Sequence, residues 1–220
     1  MNAMIDLMRN RHSVRSYRAD SVEQDMIDVL KGAIDECNAI PELHFQLVTD
    51  EPEAFDGFMA HYGKFSGVRN YIGLIAKKGS DEKVGYYGEK IVLLAQSLGL
   101  NTCWVAMTYN KRKVPFDIGS GEKLFIVIPF GYGTTEGVAH KSKPIGELSQ
   151  TEGDVPQWFA DGMEAVVLAP TAMNQQKFLF KFKDGAVSVD KKFGPCSAID
   201  LGIVKYHFEI GSGKEGYFNI

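Results

Sequence analysis

The chain has 220 residues, 45% of them hydrophobic and 24% charged, with a formal net charge of −4. That is enough apolar material for one soluble domain or two small ones, while small, isolated cationic groups exclude a nucleic-acid partner, which needs a basic stripe. No apolar run reaches the roughly 20 residues that span a bilayer, and the start lacks a secretion-signal pattern, so no membrane partner and a cytoplasmic location are expected.

Apolar residues Met26, Ile27, Leu30, Ala33, Ile34 and Cys37 recur at three and four positions, predicting an amphipathic helix over 21–37. Ser21 is its expected N-cap, with Gln24 completing a capping box. Alternation over 44–49 and an apolar run over 71–76 predict two strands. A second helix is expected over 84–98, ended by Gly99 as a left-handed cap. Strands are expected at 102–105 and 124–130, the latter too continuously apolar for an exposed face. Residues 134–154, rich in Gly, Ser, Pro and charge, are expected to form a connector. Further on, a helix over 158–169, a strand at Phe178, Phe180 and Phe182, and a helix over 197–208 follow. The fold class is α+β.

An offset of 135 residues sets Leu43, Phe45 and Leu47 opposite Phe178, Phe180 and Phe182. The order of helix, loop, strand, then a further helix and strand recurs, so the expectation is two unequal half-repeats, 1–148 and 149–220, forming one compact unit. Gapped superposition of any two αβ stretches is the plain alternative.

Two cationic clusters carry the chemistry: Arg11-His12-Ser13-Val14-Arg15 and Lys141-Ser142-Lys143. Four positive groups and two hydroxyls are the inventory that holds one phosphate dianion. In the second half, Pro170-Thr171-Ala172-Met173-Asn174 stiffens a helix exit and then offers a hydroxyl and an amide, able to bond the edge of a planar heterocycle. A solvated patch and an ordinary turn are the plain alternatives. The three cysteines and five histidines show no ligand spacing, so no metal site is expected.

Together these residues resemble the FMN-dependent nitroreductase family. Its chains open with R-[RH]-S-x-[RK]-x-[FY], matched by Arg11 to Tyr17, and carry a paired-cation segment with a proline, matched by Lys141-Ser142-Lys143-Pro144. Residues 85–105 look like the family's central helix and following strand. The family's P-S-x-x-N-x-Q-P loop is matched by Pro170 to Gln176, but displaced into the second half, with Lys177 in place of the proline.

The resemblance implies a nitroreductase-like mixed sheet flanked by helices, and bound FMN. Its phosphate would be held by Arg11, Ser13, Arg15, Lys141 and Lys143, with His12 nearby, and its ring lined by Pro170, Thr171, Ala172 and Asn174. The backbone of Ala106 and Met107 would stand where the family often has Gly-Gly. It also implies hydride transfer from NADH or NADPH through the flavin to a nitroaromatic, quinone or related small-molecule acceptor, with no catalytic side chain. A flavin-binding protein without turnover, acting in flavin sequestration or degradation, is the alternative. The displaced loop suggests a monomeric pseudo-dimer with one flavin site, against an ordinary homodimer. Residues 54–70 are the expected substrate lid.

Overall fold

The computed structural model describes residues 3–220. In chain order the elements are α1 (Ala3–Asn10), α2 (Gln24–Asn38), β1 (Gln46–Val48), α3 (Phe58–Tyr62), β2 (Asn70–Lys77), α4 (Asp81–Ser97), β3 (Asn101–Thr102), β4 (Glu122–Gly131), α5 (Ile145–Leu148), β5 (Ser149–Thr151), α6 (Gln157–Val166), β6 (Phe178–Lys183), β7 (Ala186–Lys191) and α7 (Ser197–Ser212). The α+β class is therefore observed. No helix among the described residues is long and apolar enough to cross a membrane.

The chain divides into two compact units that alternate along it. One holds Arg11–Ser80 and Ile91–Val138; the other holds the chain through Asn10 together with Asp81–Lys90 and Ala139–Ile220.

The first unit is built on an antiparallel sheet of order β1-β2-β4-β3. Ile72, Gly73 and Leu74 face Ile128, Val127 and Ile126, and the register shifts by a bulge after Leu74. Residues 71–76 are all buried, which is why β2 and β4 read as continuous apolar runs and not as alternating ones. Helix α2 buries Ile27, Leu30, Ile34 and Cys37, the predicted stripe. Its predicted capping box does not form: the helix starts at Gln24 after Glu23, and Gln24 reaches forward to Asp28 at 2.7 Å. Gly99 takes the left-handed conformation expected after α4, with φ 78°. The strand predicted over 102–105 is shorter, Asn101–Thr102, with one further bridge from Val105 to Val127.

Core aromatics gather beside this sheet. Phe55 lies 5.2 Å from Phe65 and 5.7 Å from Tyr71, ring centre to ring centre, in a cluster with Val14, Tyr17, Cys103, Val105 and Tyr109. The expected lid segment supplies Phe55, Phe65 and Val68 to that core, yet its helix α3 leaves Phe58 and Tyr62 exposed.

The second unit has a three-stranded sheet in which β5 runs parallel and β7 antiparallel to β6. Phe178, Phe180 and Phe182 alternate inward, and Phe180 stacks on Phe208 of α7 at 5.0 Å. Phe159 of α6 adds contacts to Phe182 and Phe208 at 5.3 and 5.7 Å. His207 is fully buried; its Nδ1 lies 3.0 Å from the Ala165 carbonyl and its Nε2 2.9 Å from Glu89. The stretch predicted as a bare connector contains α5 and β5: apolar Leu148 is buried, and Ser149–Thr151 finds a strand partner in β6.

Candidate functional site

The Arg11–Tyr17 segment is extended and tied to its neighbours through its backbone. Ser13 bridges Thr102 and Val14 N–H donates to the Thr102 carbonyl at 3.0 Å. On from there, Ser66 N–H donates to Arg15 O, Tyr17 N–H to Ser66 O, and Arg18 N–H to Tyr132 O at 2.8 Å. Extended backbone sends successive side chains to opposite faces. Accordingly Val14 enters the core between Ser13 and Arg15, which stay exposed; Tyr17, beyond Ser16, is also buried, and Arg11 is 3% exposed. The half-buried His12 places Nδ1 3.1 Å from the Glu136 carbonyl.

Three of these side chains act on one point. Burial pushes the Cys103 thiol up, while the Arg15 charge, the Ser13 side chain and the Arg11 charge all draw it back down. Arg15 forms no ion pair with a carboxylate among the described residues; its guanidinium lies 5.9 Å from the Phe65 ring. Two guanidinium groups and a hydroxyl on one short extended segment, with no carboxylate paired to Arg15 among the described residues, form a donor set suited to a phosphate or similar anion. Tyr17 supports the segment, its hydroxyl within reach of the Val14 carbonyl at 2.8 Å and that of Pro129 at 3.2 Å. Burial raises its pKa well above the phenol range. Ala106 and Met107 follow the Val105 bridge in the same unit, at negative φ, with Met107 exposed.

The other six predicted residues lie in the second unit, where the paired-cation segment is stitched to the 170–176 loop. Asn174 Nδ2 donates to the Lys141 carbonyl at 2.8 Å, and Lys143 Nζ donates to the carbonyls of Gln175 and Gln176 at 3.1 and 3.4 Å. The Lys141 side chain is exposed, and that of Lys143 is half-buried on the loop. Thr171 Oγ1 accepts from Gln176 N–H at 3.1 Å, and Pro170 and Ala172 are half-buried beside it. Met173, Asn174 and Gln176 all hold positive φ, 51°, 53° and 49°. Such conformations cost on the order of 1 kcal/mol each and persist only where the surroundings over-determine them.

Sequence reasoning missed the groups that do so. Buried Asp200 accepts from Ala172 N–H at 2.9 Å and from Gln175 Nε2 at 2.8 Å. Buried Gln176 accepts from Lys143 N–H at 2.8 Å and donates to Asn174 Oδ1 at 3.0 Å. The one available signal was a carboxylate set among the apolar residues that open α7. Phe178 is core, too buried to stack on a ligand, and the Tyr132 hydroxyl donates to Glu23.

The chain belongs to the family described as "Putative TM nitroreductase", whose model matches residues 3–212. Among solved structures it is similar to a putative nitroreductase from Thermotoga maritima, with 24% identity and a TM-score of 0.67, over 96% of this chain and 83% of that one. A nitroreductase-like protein from Streptococcus mutans gives 14% identity and a TM-score of 0.56, over 68% of this chain and 98% of that one. A putative nitroreductase in complex with FMN from Desulfovibrio desulfuricans gives 16% and 0.54, over 71% and 99%. No curated protein sequence matches the chain.

Proposed function

We propose that this nitroreductase-family chain is an FMN-dependent oxidoreductase, passing hydride from NADH or NADPH through bound flavin to a nitroaromatic, quinone or related acceptor. The observation that carries the reading is the extended Arg11–Arg15 segment bridged to β3 through Ser13, with Ser13 and Arg15 exposed and Arg15 without a carboxylate partner among the described residues. Two cations and a hydroxyl on that segment would offset the charge of a flavin phosphate, and one of the solved structures similar to this chain is in complex with FMN. When bound, FMN supplies the hydride-accepting and hydride-donating centre. The chain's own work is to hold and orient it.

Arg15 and Arg11 take the phosphate oxygens, Ser13 donates a further bond, and His12, with Nδ1 on the Glu136 carbonyl, turns Nε2 to the ribityl side. The 170–176 loop lines a flavin ring with Pro170, Thr171, Ala172 and Asn174. Its left-handed residues and the Asp200 brace keep that lining stiff. Ala106 and Met107 offer backbone N–H groups. Lys141 adds an exposed charge, and Lys143 secures the loop carbonyls as well as contributing charge.

Fluorescence titration of the apoprotein with FMN should give one flavin per chain, and anaerobic NADH or NADPH should bleach the yellow colour. Arg15→Ala should weaken FMN about ten- to a hundredfold, the scale of a charge-assisted contact. A protein that binds flavin and stays yellow under reduced nicotinamide is a flavin carrier, and the reductase reading is then wrong.

A further inference from the structure

We propose that the hydroxyl of Thr102 is a further ligand-binding group, donating a hydrogen bond to the phosphate addressed by Arg11, Ser13 and Arg15. The inference rests on the flavin-phosphate reading above and adds a residue to it that the sequence motifs do not mark. Thr102 is 1% exposed, and its Oγ1 has no hydrogen-bond partner among the described residues. A buried hydroxyl without a partner is a standing cost, because it has given up water and received nothing in return. A valine would fill the same volume without that cost.

The position of the orphaned group decides what relieves it. Thr102 closes the two-residue strand β3, pairs in parallel with Ser13, and takes Val14 N–H on its carbonyl. Paired residues in a parallel bridge present their side chains to the same face, so the threonine hydroxyl belongs to the face of Ser13. The alternation that brings Arg11 and Arg15 in register with Ser13 adds both guanidiniums to that face. The neighbouring Asn101 side-chain oxygen already accepts from Gly133 N–H at 2.8 Å, whereas Thr102 Oγ1 is the hydroxyl of the strand without a partner among the described residues. An anion drawn in by the arginines is an acceptor-rich group, and one of its oxygens completes the hydroxyl.

Thr102→Val and Thr102→Ser test this against wild type, with FMN and riboflavin as the probes and apoprotein melting as the control. Thr102→Val should weaken FMN about tenfold, the effect of one hydrogen bond near 1.4 kcal/mol. It should leave riboflavin, which lacks the phosphate, unchanged. Thr102→Ser should retain FMN affinity, and the Thr102→Val apoprotein should melt at the wild-type temperature or above, since an unsatisfied group has been removed. The inference is overturned if Thr102→Val binds FMN as wild type does, if riboflavin weakens equally, or if lost affinity tracks a lower apoprotein melting temperature that serine does not restore. Arg15→Ala separates the two levels. If it loses FMN and Thr102→Val does not, only the Thr102 assignment fails; if wild type binds no FMN, the underlying reading fails.

Discussion

Asp200 sits where helix α7 begins, and it is asked to hold a strained loop from inside the protein. Burial raises its carboxyl from an ordinary 3.8 to about 6, while the bonds from Ala172 N–H and Gln175 pull in the other direction. Between those two values the folded chain keeps a proton that the unfolded chain has released. Stability therefore falls as pH rises through that window and is flat above it. Two units correspond to at most about 3 kcal/mol. Asp200→Asn retains an acceptor for Ala172 N–H and removes the ionisation, so urea midpoints for the variant should stay level from pH 4 to 6 where wild type declines. Parallel declines would mean that another group carries the effect. Charge and spacing single out Arg11, Ser13 and Arg15 as a candidate anion site from the sequence alone, because they share one short segment. Asp200 and Gln176 were not legible, since their importance lies in bonds to backbone groups of a loop whose shape only the fold defines.

Among the elements, the opposite fates of two glycines show what periodicity cannot report. Gly202 of α7 faces the early part of α4 so closely that a Cβ would stand 1.9 Å from the Glu82 carbonyl oxygen, and a Cβ on Gly85 would stand 1.9 Å from that of Ile199. These are backbone contacts, which cannot swing aside. Gly202→Ala should cost about 1–3 kcal/mol or more through forced separation of the helices, seen as a lower urea midpoint with an unchanged slope. Gly32, exposed inside α2 with nothing within 4 Å of where a Cβ would stand, should respond the other way. Gly32→Ala should stabilise by roughly 0.5–1 kcal/mol, since helical backbone is no longer ordered from a freer unfolded state. A similar loss from both variants would refute the contact argument. Long periodic segments such as α2, α4, β4 and α7 were legible for the reason that each buries one continuous surface. Shorter elements escaped: α3 has five residues, and β5 forms only because β6 offers an edge. Strand β7 did carry a signal, Asp184-Gly185, whose φ values of 50° and 77° make the two-residue hairpin turn.

For the molecule as a whole, the proposed cofactor becomes a term in the folding equilibrium. A ligand bound only by the native state adds RT ln(1 + [L]/Kd), about 2.7 kcal/mol at a hundredfold excess over Kd. In a chain of this size each kcal/mol moves the melting temperature by roughly 2–4 °C, so saturating FMN should raise it by about 5–10 °C. The increment has a chemical address. On the proposal that Arg11, Ser13 and Arg15 serve the phosphate, riboflavin at the same concentration should give a much smaller rise, and added salt should erode the FMN rise by screening the exposed Arg15. Arg15→Ala should shrink the FMN shift toward that of riboflavin while leaving the apoprotein's own melting temperature nearly unchanged, since this guanidinium is exposed and has no carboxylate partner among the described residues. If riboflavin and FMN shift the wild-type chain alike, the anchoring force lies at the ring, and the cationic segment is not what holds the flavin.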